Sequence, residues 1–233
     1  QRPHFITLYF DSVDTAGHRH GPDSPQLDNA LVQVDAALGQ LLDGLRARQL
    51  TERVNLVIAA DHGMMATGDD KVLYLDDHLD ASLIDPIWTG AYAAFDALPG
   101  GQAQADALLG KHQHFECMTR EQIPARFAYG KHRRVPRYHC MAAPGWQLTT
   151  RDAFQRKGHA LQGEHGYDNQ LQAMHSPFIV HGPAFKRGHR IAGIDNVDVY
   201  PLLAHLLGVN PGQHDGQLAN TVDALINSPE ERP

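Results

Sequence analysis

No run of eighteen apolar residues occurs anywhere in the 233-residue chain, so no segment is expected to span a bilayer. Nothing ahead of the first apolar run has the charged, apolar and small-residue order of a signal peptide. Basic residues are the minority: 20 Lys and Arg stand against 27 Asp and Glu, a formal net charge of −7 with histidine neutral. That balance argues against holding a long nucleic acid, which requires a basic surface to neutralise phosphates. It does not exclude a small anionic substrate, because a bound metal ion reverses the local field. Cysteine is scarce, with only Cys117 and Cys140. One disulfide and two free thiols are both open, and a disulfide would fit an exported protein. Internal repeats and low-complexity tracts are absent.

What is present is enough chain for one α/β domain with a core, or for a core with a small subdomain. Histidine is abundant, at 16 residues, and most of these are expected to be surface or structural. Gln1-Arg2-Pro3 runs at once into His4-Phe5-Ile6-Thr7-Leu8-Tyr9-Phe10. The chain is therefore expected to start within a domain whose earlier part lies elsewhere.

Residues 4–10 have the composition of a buried strand, and a polar loop is expected from Asp11 to Pro22. Ser24-Pro25 is a helix start, with Ser as N-cap and Pro in the first turn. Leu31, Val34, Leu38, Leu41, Leu42 and Leu45 then recur at helical spacing, which predicts a helix over 25–48. Residues 54–60 are a second apolar strand ending at Asp61. Strand, helix, strand predicts a parallel βαβ unit, with ligands bound beyond the carboxyl ends of the strands. Both Asp14 and Asp61 would lie there. The stretch 66–160 is less regular, with a helix expected near 102–111, and is read as a smaller inserted subdomain. Its basic run Lys131-His132-Arg133-Arg134 is read as a solvated face or turn. Strand character returns at 177–181, and 196–207 is helical and apolar, with Gly208 as its stop.

Three clusters carry chemistry. Asp14 and His18 are four residues apart and meet on one side of a turn or short helix; both are zinc donors, although a loop aspartate with a surface histidine has the same spacing. Asp61-His62-Gly63-Met64 follows the second strand directly, so two adjacent donors can leave the sheet end together, and the glycine permits a tight backbone path. His165 sits between glycines in Gly163-Glu164-His165-Gly166-Tyr167-Asp168-Asn169, a segment that also suits a plain turn. Together these supply Asp14, His18, Asp61, His62 and His165. Five donors are too many for one tetrahedral zinc with an open position and too few for two. Two further donors would complete the kind of two-metal site that clamps an in-line phosphoryl displacement.

At this point the sequence resembles a known family. Asp14-x-x-Gly17-His18-x-x-Gly21-Pro22, Asp61-His62-Gly63-Met64 and His165-Gly166-Tyr167-Asp168-Asn169, followed by Phe178 and His181-Gly182-Pro183, are similar to nucleotide pyrophosphatase/phosphodiesterases of the alkaline phosphatase superfamily. Ile123-Pro124-x-Arg126-Phe127, Gly145-Trp146 and Asn196-Val197-x-x-Tyr200 match in the same order. The resemblance implies an alkaline-phosphatase-like three-layer α/β fold, with a mostly parallel central sheet, helices on both faces, a small inserted subdomain and the N-terminal part of the domain missing. Residues 1–227 would be the C-terminal part of the catalytic domain, with 66–160 inserted, 161–227 returning to the core and 228–233 a tail.

The resemblance further implies two Zn2+ ions, one held by Asp14, His18 and His165 and the other by Asp61 and His62, with a further Asp and a nucleophilic Thr supplied from outside this chain. The substrate would be a nucleotide diester or pyrophosphate, cleaved through a phospho-threonine intermediate to a nucleoside 5′-monophosphate. A phosphonate, phosphomonoester or lipid phosphodiester hydrolase of the same superfamily, and a non-catalytic metal-binding module, are the other readings. Tyr9 would stack on the base, a core aromatic being the plainer role; Asp168 and Asn169 would orient His165, or simply form a turn. His4, His20, His159, His175 and His181 are read as structural or surface residues. The companion would be an N-terminal polypeptide of the same enzyme, and the compartment periplasmic or extracellular.

Overall fold

The computed structural model describes residues 3–226. Gln1, Arg2 and the expected tail at 228–233 lie outside the described residues. In chain order the elements are α1 (Ser12–His20), α2 (Pro25–Ala47), β1 (Leu56–Ala59), β2 (Met65–Ala66), β3 (Val72–Tyr74), β4 (Ile84–Trp88), β5 (Tyr92–Ala97) and α3 (Gln102–Ala107). They continue with β6 (Gly110–His112), β7 (Phe115–Thr119), β8 (Tyr138–Ala142), β9 (Gln147–Thr149), α4 (Arg151–Lys157), β10 (Gly163–Glu164), β11 (Phe178–His181) and α5 (Val199–Leu207). They fall into two units, one of residues 1–10, 34–61 and 176–233, the other of 11–33 and 62–175.

In the first unit β1 pairs antiparallel with β11, Leu56 opposite His181 and Ala59 opposite Phe178. Alternate residues Val57, Phe178 and Val180 face a core of Phe185, Leu202, Ala224 and Leu225, as the two-residue period of a strand requires. Helix α5 begins after the buried Asp198, whose carboxylate accepts from the backbone of Asp195 and Gln217 and from the Asn220 amide. It ends at Gly208 in the left-handed conformation, φ 66°.

Two expectations are corrected here. Residues 4–10 form no strand: they have no ladder partner among the described residues, and Phe5, Ile6 and Leu8 face solvent. A strand exists only with a neighbour to take its N–H and C=O groups. The parallel βαβ pair predicted from 4–10 and 54–60 is accordingly not made, and β1 takes an antiparallel partner instead. The helix signal was sound: α2 begins at Pro25, and the Leu27 amide donates to Ser24 Oγ at 3.2 Å.

The second unit is built on a five-stranded antiparallel sheet, order β4-β5-β8-β7-β6. The segment 66–160, expected to be an insertion, lies within this unit. Its main core joins Leu75, Ile84, Ala93, Phe95, Leu108, Phe115, Tyr138 and Leu148. Cys117 and Cys140 stand directly opposite on β7 and β8 and are joined as a disulfide within that core. Replacing both by alanine is expected to cost ~3 kcal/mol of stability, because the bridge closes a 23-residue separation and fills core volume. Denaturant unfolding of parent and double variant, both non-reduced, checks this. Smaller ladders complete the unit: β3 with β9 in parallel, and β2 with β10 antiparallel.

Candidate metal centre

The segment predicted as a polar loop is mostly helix α1. Its internal Gly17 and polar composition hid it. Tertiary contact supplies what propensity does not, and Gly17, a poor helix former, is buried there. The helix places Asp14 and His18 one turn apart on the same face, with His18 Nε2 3.4 Å from Asp14 Oδ1.

The β2–β10 ladder sets Met65 opposite Glu164 and Ala66 opposite Gly163. It thereby fixes the His62-Gly63-Met64 turn beside the His165 loop. Helix α1 packs on the same ladder: the Gln162 amide donates to His18 O at 2.9 Å, and His18 Nδ1 lies 2.8 Å from Gly163 O. Both crossings require glycine. A Cβ on Gly163 would lie 3.1 Å from Gly17 C and from Met64 Cγ, and closer still to Gly17 O. A Cβ on Gly63 would come 2.8 Å from the His175 carbonyl oxygen and closer to that of Ala173.

The result is a cluster of acceptors. Asp14 Oδ1 is surrounded by Nε2 of His18 at 3.4 Å, of His165 at 3.6 Å and of His62 at 3.9 Å. The His62 and His165 rings stack at 3.5 Å between centroids, 11° from parallel. Nδ1 of His18 and Nδ1 of His62 each face a backbone carbonyl, of Gly163 and of Gly63 at 2.9 Å, and a carbonyl can only accept. Those Nδ1 atoms therefore donate, and in the neutral imidazole, the form that binds a metal, both Nε2 lone pairs face Asp14. Asp14 Oδ1 is shielded from solvent and has no hydrogen-bond partner.

A buried carboxylate oxygen ringed by imidazole lone pairs is costly unless a cation sits among them. Asp14, His18 and His165 can each offer one donor atom with all three within 4.8 Å of one another. Zinc–ligand bonds of about 2.0–2.1 Å place tetrahedral donors roughly 3.4 Å apart, which is close to the spacing around Asp14. The donor set fits a zinc-type ion.

Asp61 lies two residues beyond β1 in the first unit, where its carbonyl accepts from the Asn196 amide at 3.3 Å. Tyr9 is in the same unit and its side chain is 82% exposed in this chain. Asp168 and Asn169, expected to orient His165, give their oxygens to Arg126: the guanidinium grips Asp168 with both Nη atoms and reaches Asn169 Oδ1 at 2.9 Å. Hydrogen bonds from Arg126 hold the Asp168 carboxyl below its ordinary value. Residue 126 pins the loop that follows His165, a role that the sequence motif around it did not reveal. Glu164 was likewise missed, being an ordinary acidic residue beside the conspicuous His165. Burial pushes its carboxyl up, while its hydrogen bond from the His165 amide opposes the shift.

Residues 1–168 match the family model described as type I phosphodiesterase/nucleotide pyrophosphatase. The chain belongs to this family. It is 32% identical over 224 residues to bis(5′-adenosyl)-triphosphatase enpp4 of Xenopus laevis, covering 96% of this chain and 48% of that protein. It is 33% identical over 222 residues to ectonucleotide pyrophosphatase/phosphodiesterase family member 5 of Homo sapiens, covering 95% and 46%. The solved structure of human ectonucleotide pyrophosphatase/phosphodiesterase 5 superposes with a TM-score of 0.85 at 32% identity, over 92% of this chain and 56% of that one. An inactive form of the murine protein in complex with AMP superposes at 0.83, with 34% identity, over 91% and 56%. The fold is the alkaline-phosphatase-like α/β fold of the family. The chain spans about half the length of the curated relatives it matches.

Proposed function

We propose that the complete protein hydrolyses nucleotide phosphodiester and pyrophosphate bonds at a two-zinc centre, releasing nucleoside 5′-monophosphates. The observation that carries this reading is the group of three histidine Nε2 atoms converging on the shielded Asp14 Oδ1. Asp14, His18 and His165 would hold one ion, and Asp61 with His62 would provide donors to the other. Bound zinc supplies Lewis acidity toward phosphoryl oxygens and makes a hydroxyl reactive near neutral pH.

This chain's residues orient that centre. Helix α1 fixes the Asp14–His18 pair, the Gly63 turn directs His62, and the Arg126 clamp steadies the loop behind His165. The nucleophile would be a threonine on a part of the catalytic domain outside these 233 residues. Its oxygen would bond to phosphorus as the leaving-group oxygen departs, and water would then cleave the phospho-threonine ester. Tyr9, with its open ring, would stack on the base of the nucleotide. The buried Cys117–Cys140 disulfide supports a periplasmic or secreted location.

The test is zinc content per polypeptide of the complete protein, together with product analysis on diadenosine triphosphate. Release of AMP that a chelator abolishes and added zinc restores is the expected result. A zinc-loaded protein that cleaves a phosphomonoester and no nucleotide diester would overturn the substrate assignment.

A further inference from the structure

We propose that Glu164 is a positioning residue of the metal centre, a buried carboxylate that sits behind the ligands, holds the His165 backbone in place and supplies negative charge toward the cation that His18 and His165 bind. This rests on the metal-binding reading above.

Glu164 is only 8% exposed. Its Oε1 accepts the backbone N–H of His165 at 3.1 Å, and the same oxygen lies 3.8 Å from His18 Nδ1. That is the far side of the His18 ring, since His18 Nε2 is the atom that faces Asp14. The carboxylate is therefore behind the donors and not one of them. It touches both histidines of the Asp14 group, one through its backbone and one through its ring. The opposing hairpin makes room for it: Gly90 has φ +141°, and a Cβ there would come 2.7 Å from Glu164 Oε2 and 3.3 Å from Cδ. A side chain at position 90 would displace the carboxylate.

Among the described residues the ion-pair partner within 4 Å of Glu164 is His18, and Lys157 attracts the carboxylate from farther away. A buried carboxylate so placed is costly without countercharge. A dication one imidazole away supplies it, and the carboxylate in turn strengthens the imidazole as a donor. Glu164 is thus expected to trade stability of the metal-free protein for metal affinity. A residue that merely packs would not make the two move in opposite directions.

Glu164→Gln keeps the shape and the acceptor for the His165 amide while removing the charge. The expected result for the purified protein is a zinc dissociation constant raised about ten- to hundredfold, measured by competition with a chromogenic chelator. The metal-free Tm is expected to rise, and a fall alongside weakened zinc binding overturns the role. Glu164→Asp, which keeps the charge, is expected to bind zinc more tightly than Glu164→Ala. A Gln variant that binds zinc indistinguishably from the parent overturns the role of Glu164 and leaves the metal site standing. Equal affinities in the Asp and Ala variants overturn it as well. A parent protein that binds no zinc overturns both the role and the metal-binding reading.

Discussion

His165→Ala in the complete enzyme is expected to lower turnover of a nucleotide diester by about a thousandfold, equivalent to ~4 kcal/mol of transition-state stabilisation, with the protein still folded. The reason is the small size of the donor set. Among the described residues, Asp14, His18 and His165 form the group whose donor atoms all lie within 4.8 Å of one another. Removing one leaves a carboxylate and a single imidazole to hold the ion. The ring is a modest part of the packing, with its side chain 25% exposed and its face stacked on His62. The fold should lose no more than about 1 kcal/mol. The turnover rate, the zinc content and the circular dichroism spectrum of the same preparation separate these effects. A parent-like rate would sink the assignment of that ligand group.

The second large effect is expected at a residue with no functional group. Gly63→Ala should destabilise the protein by ~3 kcal/mol and lose zinc affinity together with stability. The added methyl would meet two carbonyl oxygens, those of Ala173 and His175, and neither is the movable end of a flexible side chain. The Gly63 amide, which donates to Met174 O at 3.0 Å, would have to shift, and His62 with it. Gly39 provides the opposite case. It lies inside α2 with nothing within 4 Å of an added Cβ. There the same substitution should stabilise by about 0.5–1 kcal/mol, since glycine costs backbone entropy in a helix. Urea unfolding of the two variants beside the parent decides the matter. Equal effects at the two positions would contradict the close approach at Gly63.

The contrast between those glycines shows where the sequence could be read and where it could not. Helix α2 was legible because its information is local: a serine cap, a proline in the first turn and leucines at helical intervals. The apolar strand at 54–60 and the helix ending at Gly208 were legible for the same reason. Strand pairing was not, since nothing within residues 4–10 or 54–60 names the neighbour that takes their backbone hydrogen bonds. Composition suggested a parallel pair, and the chain instead places β11, more than a hundred residues later, antiparallel to β1.

The donors were readable as chemical types, and Asp14, His18, Asp61, His62 and His165 stood out as candidate metal donors. Which side chains support them was not readable. Arg126 reaches Asp168 across 42 residues, and Glu164 stands behind a histidine 146 positions earlier in the chain. Asp168 was open as a support of His165 or as a turn residue, and its carboxylate is gripped by Arg126. The sequence by itself thus determined the family, the kinds of donor and the helices whose signals are local. The tertiary structure alone decided that α1 forms from a polar segment, that Gly17 and Gly163 bring backbones together, and that the Nε2 lone pairs of His18 and His62 turn toward one buried oxygen. Local propensity is a property of neighbours in sequence. Convergence of ligands depends on backbone approach between distant segments, and that is fixed only when the chain has folded.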